Sequence, residues 1–257
     1  VLRWMDRHLK GIETGEDEPP VRAFVMGANQ WRSAEAWPIP GTDPDTLYLR
    51  AADDSGGTGG LRPAAADAED GPSVFRSDPA QPLSDPYTGD YGAHDYRALP
   101  GRSGLVAFET SPFPAAYEMI GRVVAEVAVS ASVPDFDLWL QLYDVAPDGS
   151  AWNLASPGTA LRRASYRDGG PERRLVPEGE VVRLRFDGPV TANRFLPGHR
   201  LRVVISGAFF PLFSVNPQTG RQEFESEETR AGEIRIHHAR GQASWIVLPE
   251  VTPRRER

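Results

Sequence analysis

The stretch YTGDYGAHDY (87–96) places Tyr87, Tyr91 and Tyr96 beside His94, with Asp90 among them. Aromatic rings with polar edges can line a binding pocket, or they can pack a long loop onto its support. The residues alone fit both roles. Serine hydrolysis asks for more: a nucleophile on a strained turn, a base beside it and an acid that orients the base. No G-x-S-x-G elbow occurs in the chain, and scattered Ser, His and Asp residues carry no triad signal. His237 and His238 are adjacent on an expected strand, so they project to opposite faces and cannot share a metal. Asp135 and Asp137, in PDFDLW, can face one way, yet calcium takes about six to eight oxygens. The start of a strand beside a turn is the favoured reading, with a calcium site as the alternative. GTGG (57–60) precedes no helical pattern and reads as a flexible loop, not a phosphate cradle. Trp31, Trp37, Trp139, Trp152 and Trp245 could stack on sugar rings if exposed, although large aromatics belong by default to cores.

The elements that must hold these residues are mostly strands. VLRWMDRHLKG (1–11) differs: Val1, Leu2, Met5, Leu9 and Ile12 recur at helical spacing and make one apolar face. No N-cap residue precedes it, Gly11 fits the position just past a helix end, and Pro19-Pro20 prevent continuation. VRAFVMG (21–27) and TLYLR (46–50) read as strands, with ANQWRSAEAWPIP between them as a loop. Residues 51–75 are rich in Gly, Ala, Asp and Ser and are expected to form a mobile loop. From about residue 105 the pattern is strand and turn: LVAFET, GRVVAEVAVSA, LWLQLYDV, LRRASYR, EVVRLRF, RLRVVISG, EIRIHHA and SWIVLPEV. In LWLQLYDV, Leu138, Leu140 and Leu142 share one face and Trp139, Gln141 and Tyr143 the other. The expected fold is all-β, a jelly-roll β-sandwich over 19–251, preceded by a terminal helix and linker (1–18) and followed by a tail (252–257).

Composition narrows the function classes. A net charge of −8 and the absence of long basic runs argue against nucleic acid or an anionic membrane as partner. With no cysteine, disulfides, thiolate metal sites and a cysteine nucleophile are excluded, and no cofactor or metal is expected. No apolar run reaches the roughly 18 residues of a membrane span. No signal peptide is seen; the compartment stays open, with the cytoplasm favoured.

Several segments in order carry a resemblance: WMDRHLKG with PPVRAFVMGANQWRSAEAWP, SDPAQP, DFDLWLQLYDVAPDGSAWNL, FLPGHRLRVVIS followed by FFPLFSVNPQTG, and SWIVLP. The series resembles the C-terminal part of the family that contains X-prolyl dipeptidyl aminopeptidases, cocaine esterase and α-amino-acid ester hydrolases. That resemblance implies a galactose-binding-like jelly roll following an α/β-hydrolase domain that carries a Ser-Asp-His triad. The N-terminal helix would be the last helix of that domain. No catalytic residue carries over, so the chain alone is expected to be inactive and its parent a serine hydrolase. The implied partner is the catalytic domain of the same protein, with a homo-oligomer also admitted. The segment after Asp78-Pro79-Ala80-Gln81-Pro82 would help wall the acyl pocket, which singles out Tyr87, Asp90, Tyr91 and His94. PGHR (197–200) would be a tight turn with Arg200 in a structural ion pair, and NPQTG (216–220) a turn-rich loop. The rival from another class is a free-standing carbohydrate-binding module, which requires exposed, coplanar Trp or Tyr rings.

Overall fold

The computed structural model describes residues 2–13, 19–52, 57–66, 70–155, 160–225 and 227–251. Val1, the linker positions 14–18 and the tail 252–257 lie outside the described residues. Helix α1 (Leu2–Lys10) ends where Gly11 takes φ +65°, a conformation that glycine enters without steric cost. Its apolar residues Leu2, Met5, Leu9 and Ile12 are all exposed.

The rest is β-structure. Strands β1 (Val21–Val25) and β2 (Gln30–Ala34) form a two-stranded hairpin. The main sheet system takes β3 (Thr42–Arg50), β4 (Gly59–Arg62), β5 (Ser73–Ser77), β6 (Leu105–Glu109), β7 (Tyr117–Ala131) and β8 (Asp137–Val145). It continues with β9 (Ala151–Asn153), β10 (Leu161–Arg163), β11 (Val182–Phe195), β12 (Arg200–Ser206), β13 (Gly232–Ile236) and β14 (Trp245–Val251). One layer runs β10-β8-β12-β6 and the other β3-β14-β7-β13-β5, with β4 joining them. The long β7 carries β11 along one edge and β14 and β13 in succession along the other.

Alternation decides what each strand buries. In β11, Val182, Leu184 and Phe186 enter the main core while Arg183, Arg185 and Asp187 face out. Val123, Ala125, Val127 and Val129 of β7 meet them from the neighbouring strand. Each large side chain so buried contributes about 1.5–3 kcal/mol. β8 is buried along its whole length. Leu138, Leu140 and Leu142 enter the main core, and Trp139 and Tyr143 enter a second cluster with Leu83, Tyr96, Leu99 and Phe209. The outer face of this layer is therefore roofed by the loop that follows β5.

Several expectations need correction. ANQWRSAEAWPIP is not simply a loop, because Gln30–Ala34 pairs with β1; Gly27 and Asn29, both at positive φ, turn the chain between them. The expected mobile loop 51–75 contributes β4 and the first residues of β5, and GTGG supplies the start of β4. That strand holds because it pairs antiparallel with β3 and parallel with β6. Residues 53–56 and 67–69 lie outside the described residues. At PGHR the tight turn forms, with Gly198 at φ +85°, but the residue of this turn that meets a carboxylate is His199, not Arg200: its Nδ1 is hydrogen-bonded to Asp144 Oδ1 at 2.7 Å. Trp139 is core, whereas Trp31, Trp37 and Trp152 are about half exposed or more.

Candidate functional site

Tyr87, Asp90, Tyr91 and His94 meet in one cleft of about 320 Å³, together with Asp85, Tyr96, Pro211 and Leu212. The loop is held in shape by its own short-range bonds. Asp85 Oδ1 accepts from the Tyr87 amide and from the Tyr96 hydroxyl, both at 3.0 Å. The Thr88 hydroxyl donates to Asp85 O at 2.9 Å, and Tyr87 OH donates to Asp95 O at 2.7 Å. His94 stacks on Tyr87 with ring centroids 4.3 Å apart and a 10° interplanar angle, while Tyr96 meets Tyr87 edge-on at 5.0 Å.

Backbone and side-chain bonds on two sides staple this loop to the sandwich. On one side Tyr96 N donates to Ala151 O at 2.7 Å, and Asn153 accepts from His94 N and donates to Gly92 O. On the other, Asp85 N donates to Phe210 O at 2.8 Å and Phe210 N to Leu83 O at 2.9 Å. Tyr96 is the anchor, 3% exposed and packed near Tyr143 and Phe209. Burial, reinforced by the Asp85 carboxylate, pushes its phenol well above the usual tyrosine range. Tyr91, by contrast, stands 80% exposed at the cleft mouth.

Asp85, Tyr96, Pro211 and Leu212 were not singled out as lining residues from sequence. Tyr96 belonged visibly to the aromatic run. Pro211 and Leu212, in FFPLF, come from a distant loop, and only the fold brings them beside 85–94.

The other chemistry-bearing groups are engaged in holding the fold. Asp137 is gripped by Arg163 through two bonds of 2.8 and 2.9 Å and by Asn216 Nδ2 at 3.0 Å. Burial nevertheless leaves its carboxyl above the ordinary aspartate range. Asp135 takes bonds from Ser165 and Arg173. NPQTG forms the expected loop, with Asn216 and Gln218 buried as its polar anchors. His237 and His238 lie just past β13 and not on the expected strand; they bond to different serines, Ser130 and Ser73.

These Ser–His contacts are not triads. His238 is fully buried, and among the described residues its Nδ1 has no hydrogen-bond partner where an orienting carboxylate would stand. The converse pair, Asp144–His199, has a carboxylate but no described hydroxyl on the ring. Among the described residues no group of three His, Asp or Glu side chains could hold a metal. Nor does the exposed Phe24–Trp31 pair offer a sugar platform, since its rings stand at 67° and not coplanar.

The chain is thus an all-β sandwich with an aromatic cleft stapled to its outer face. In comparison with known proteins, the family described as the X-Pro dipeptidyl-peptidase C-terminal non-catalytic domain matches residues 13–247, and the chain belongs to that family. It is 34% identical to cocaine esterase of a Rhodococcus species over 96% of this chain and 44% of that protein. A putative Xaa-Pro dipeptidyl-peptidase of Streptomyces avermitilis is 29% identical over 80% of this chain and 34% of its own length. Among solved structures, an α-amino acid ester hydrolase superposes with a TM-score of 0.83 at 26% identity, covering 97% of this chain and 44% of that one. An aminopeptidase from a marine sediment archaeon shares the fold at TM-score 0.82 and 24% identity, over 98% of this chain and 43% of that one. The chain thus spans less than half the length of these relatives.

Proposed function

We propose that this domain walls the substrate pocket of a serine-hydrolase catalytic domain in the same polypeptide, one that cleaves esters or X-Pro peptides. It orients substrate and takes no part in bond breaking. The observation that carries this reading is the convergence of Tyr87, Asp90, Tyr91 and His94 on one cleft whose loop is hydrogen-bonded to β9 on one side and to Phe210 on the other. A rigidly mounted wall is what substrate positioning requires, because small displacements of a bound group are costly in rate. The names of the relatives, an esterase, an ester hydrolase and a dipeptidyl-peptidase, supply the reaction class. The exposed apolar residues Leu2 and Leu9 of α1 and Phe24 and Trp31 of the hairpin offer surface for the catalytic domain or for an oligomer.

The test is made in the enzyme that contains this domain. Tyr91→Ala and Leu212→Ala are expected to raise KM for nitrophenyl esters of bulky acyl groups by roughly 3- to 10-fold, with kcat little changed. Unaltered KM for every acyl group tried refutes the wall.

A further inference from the structure

We infer that Arg163 is a positioning residue for the cleft: acting through Glu223 and Ser214, it sets where the edge made by Pro211 and Leu212 stands. The inference rests on the wall reading above and concerns how that wall is mounted. Residues 207–231 join β12 to β13 with no helix or strand among those described. A connection of this length without regular structure is uncommon in a compact domain and is usually functional. Its first part is pinned where Phe210 bonds to Leu83 and Asp85, and its middle where Asn216 and Gln218 lie buried. Between these points, among the described residues, no backbone hydrogen bond holds 211–215. The place of Leu212 on the cleft therefore depends on the side chains beside it.

Two tethers are present. The Phe213 ring meets the buried Trp139 with centroids 5.2 Å apart. The Ser214 hydroxyl donates to Glu223 Oε2 at 2.7 Å, and the other oxygen of that carboxylate lies 2.5 Å from Arg163 Nη2. Arg163 ends β10 opposite Asp137 at the start of β8, and it bonds that buried carboxylate through Nε and Nη2. Nη2 carries two hydrogens, so it serves Asp137 and Glu223 together. The sequence of bonds Asp137–Arg163–Glu223–Ser214 thus runs from the sheet to a residue two places from Leu212. Asp137 also accepts from Asn216 Nδ2, so one buried carboxylate anchors the loop on both sides of Val215. Glu223 is the link that can be cut without opening the core. Its side chain is 33% exposed, and its loss leaves Asp137 with both Arg163 bonds and Asn216.

The experiment begins with Glu223→Ala and Ser214→Ala in the full 257-residue chain, read by NMR of the Leu212 methyl groups and the Trp139 indole N–H. Both variants are expected to shift and broaden these signals. Glu223→Gln should restore them, because its amide keeps an acceptor for Arg163 and a donor for the Ser214 oxygen. In the enzyme that contains the domain, Glu223→Ala is expected to raise KM for esters of bulky acyl groups about threefold with kcat little changed, and to add nothing in a Leu212→Ala background. Native signals in both variants, no restoration by Glu223→Gln, or KM effects of Glu223→Ala and Leu212→Ala that multiply independently overturn the inference. The two readings fail separately. Native signals and unaltered KM in Glu223→Ala, with the KM effect of Leu212→Ala intact, refute the positioning role alone. Altered signals without a KM effect from either variant uphold that role and refute the wall.

Discussion

Acidification should destabilise this domain through one buried ring. His238 is fully buried, and the Ser73 amide N–H donates to its Nε2 at 3.3 Å, with the Ser73 hydroxyl at 2.8 Å. An N–H can only donate, so Nε2 must be an acceptor and the ring is neutral. Protonation would set a second hydrogen against the Ser73 amide in a site shielded from water. Burial outweighs the opposing pull of the Asp70 carboxylate and, with the neighbouring His237 acting in the same direction as burial, brings the His238 pKa down to about 4. The unfolded chain, with an ordinary histidine near 6.5, binds the proton more readily, so the stabilisation is complete above about pH 6.5 and is lost as pH falls toward 4. The whole gap corresponds to about 3 kcal/mol, of which about 2.5 kcal/mol is gone by pH 4.5. Urea unfolding of the native protein and of His238→Phe, at steps between pH 7.5 and 4.5, isolates this contribution from the carboxylates that also titrate. The variant should be the less stable at pH 7.5, having lost the Ser73 bonds, and should close or reverse that deficit by pH 4.5. A difference between the two proteins that stays constant across the range refutes the reasoning.

Three further outcomes follow from the packing. Arg163→Met removes the two-bond partner of Asp137 and leaves a carboxylate 3% exposed with Asn216 as its remaining hydrogen-bond donor; a loss of about 3 kcal/mol should appear as a lower urea midpoint at unchanged slope. Gly27→Ala would place a Cβ 2.1 Å from the Arg194 carbonyl oxygen at φ +73°, and should cost at least ~2 kcal/mol in thermal unfolding, whereas Gly71→Ala, with open space around it, should change stability by no more than ~0.5 kcal/mol. Tyr96→Phe deletes the hydroxyl that donates to Asp85 and should destabilise the domain by about 1 kcal/mol while broadening the NMR signals of 85–94.

The strands that sequence revealed are those with one buried face and clear alternation, such as β11 with its Val182, Leu184 and Phe186. β4 escaped because four residues with two glycines have no pattern of their own; its conformation comes from pairing with β3 on one side and β6 on the other. β2 escaped because QWRSA buries nothing fully and so shows no apolar rhythm. The alternation in LWLQLYDV was legible, but its second buried face was not, since the cover arrives from a loop some forty residues earlier. The same limit applies to the cleft. Its tyrosines and His94 sit within ten residues and announce themselves, while Leu212 becomes their neighbour only through the pairing of Ser84 with Phe210.

The measurement that tests the account most directly exposes the purified 257-residue chain to a fluorophosphonate probe, with intact-mass detection and nitrophenyl-ester turnover in parallel. The account predicts no labelled serine and no turnover above buffer, because no described serine has both a base and an orienting acid. Stoichiometric labelling of one serine, accompanied by turnover, would contradict it and would place a working nucleophile within this chain.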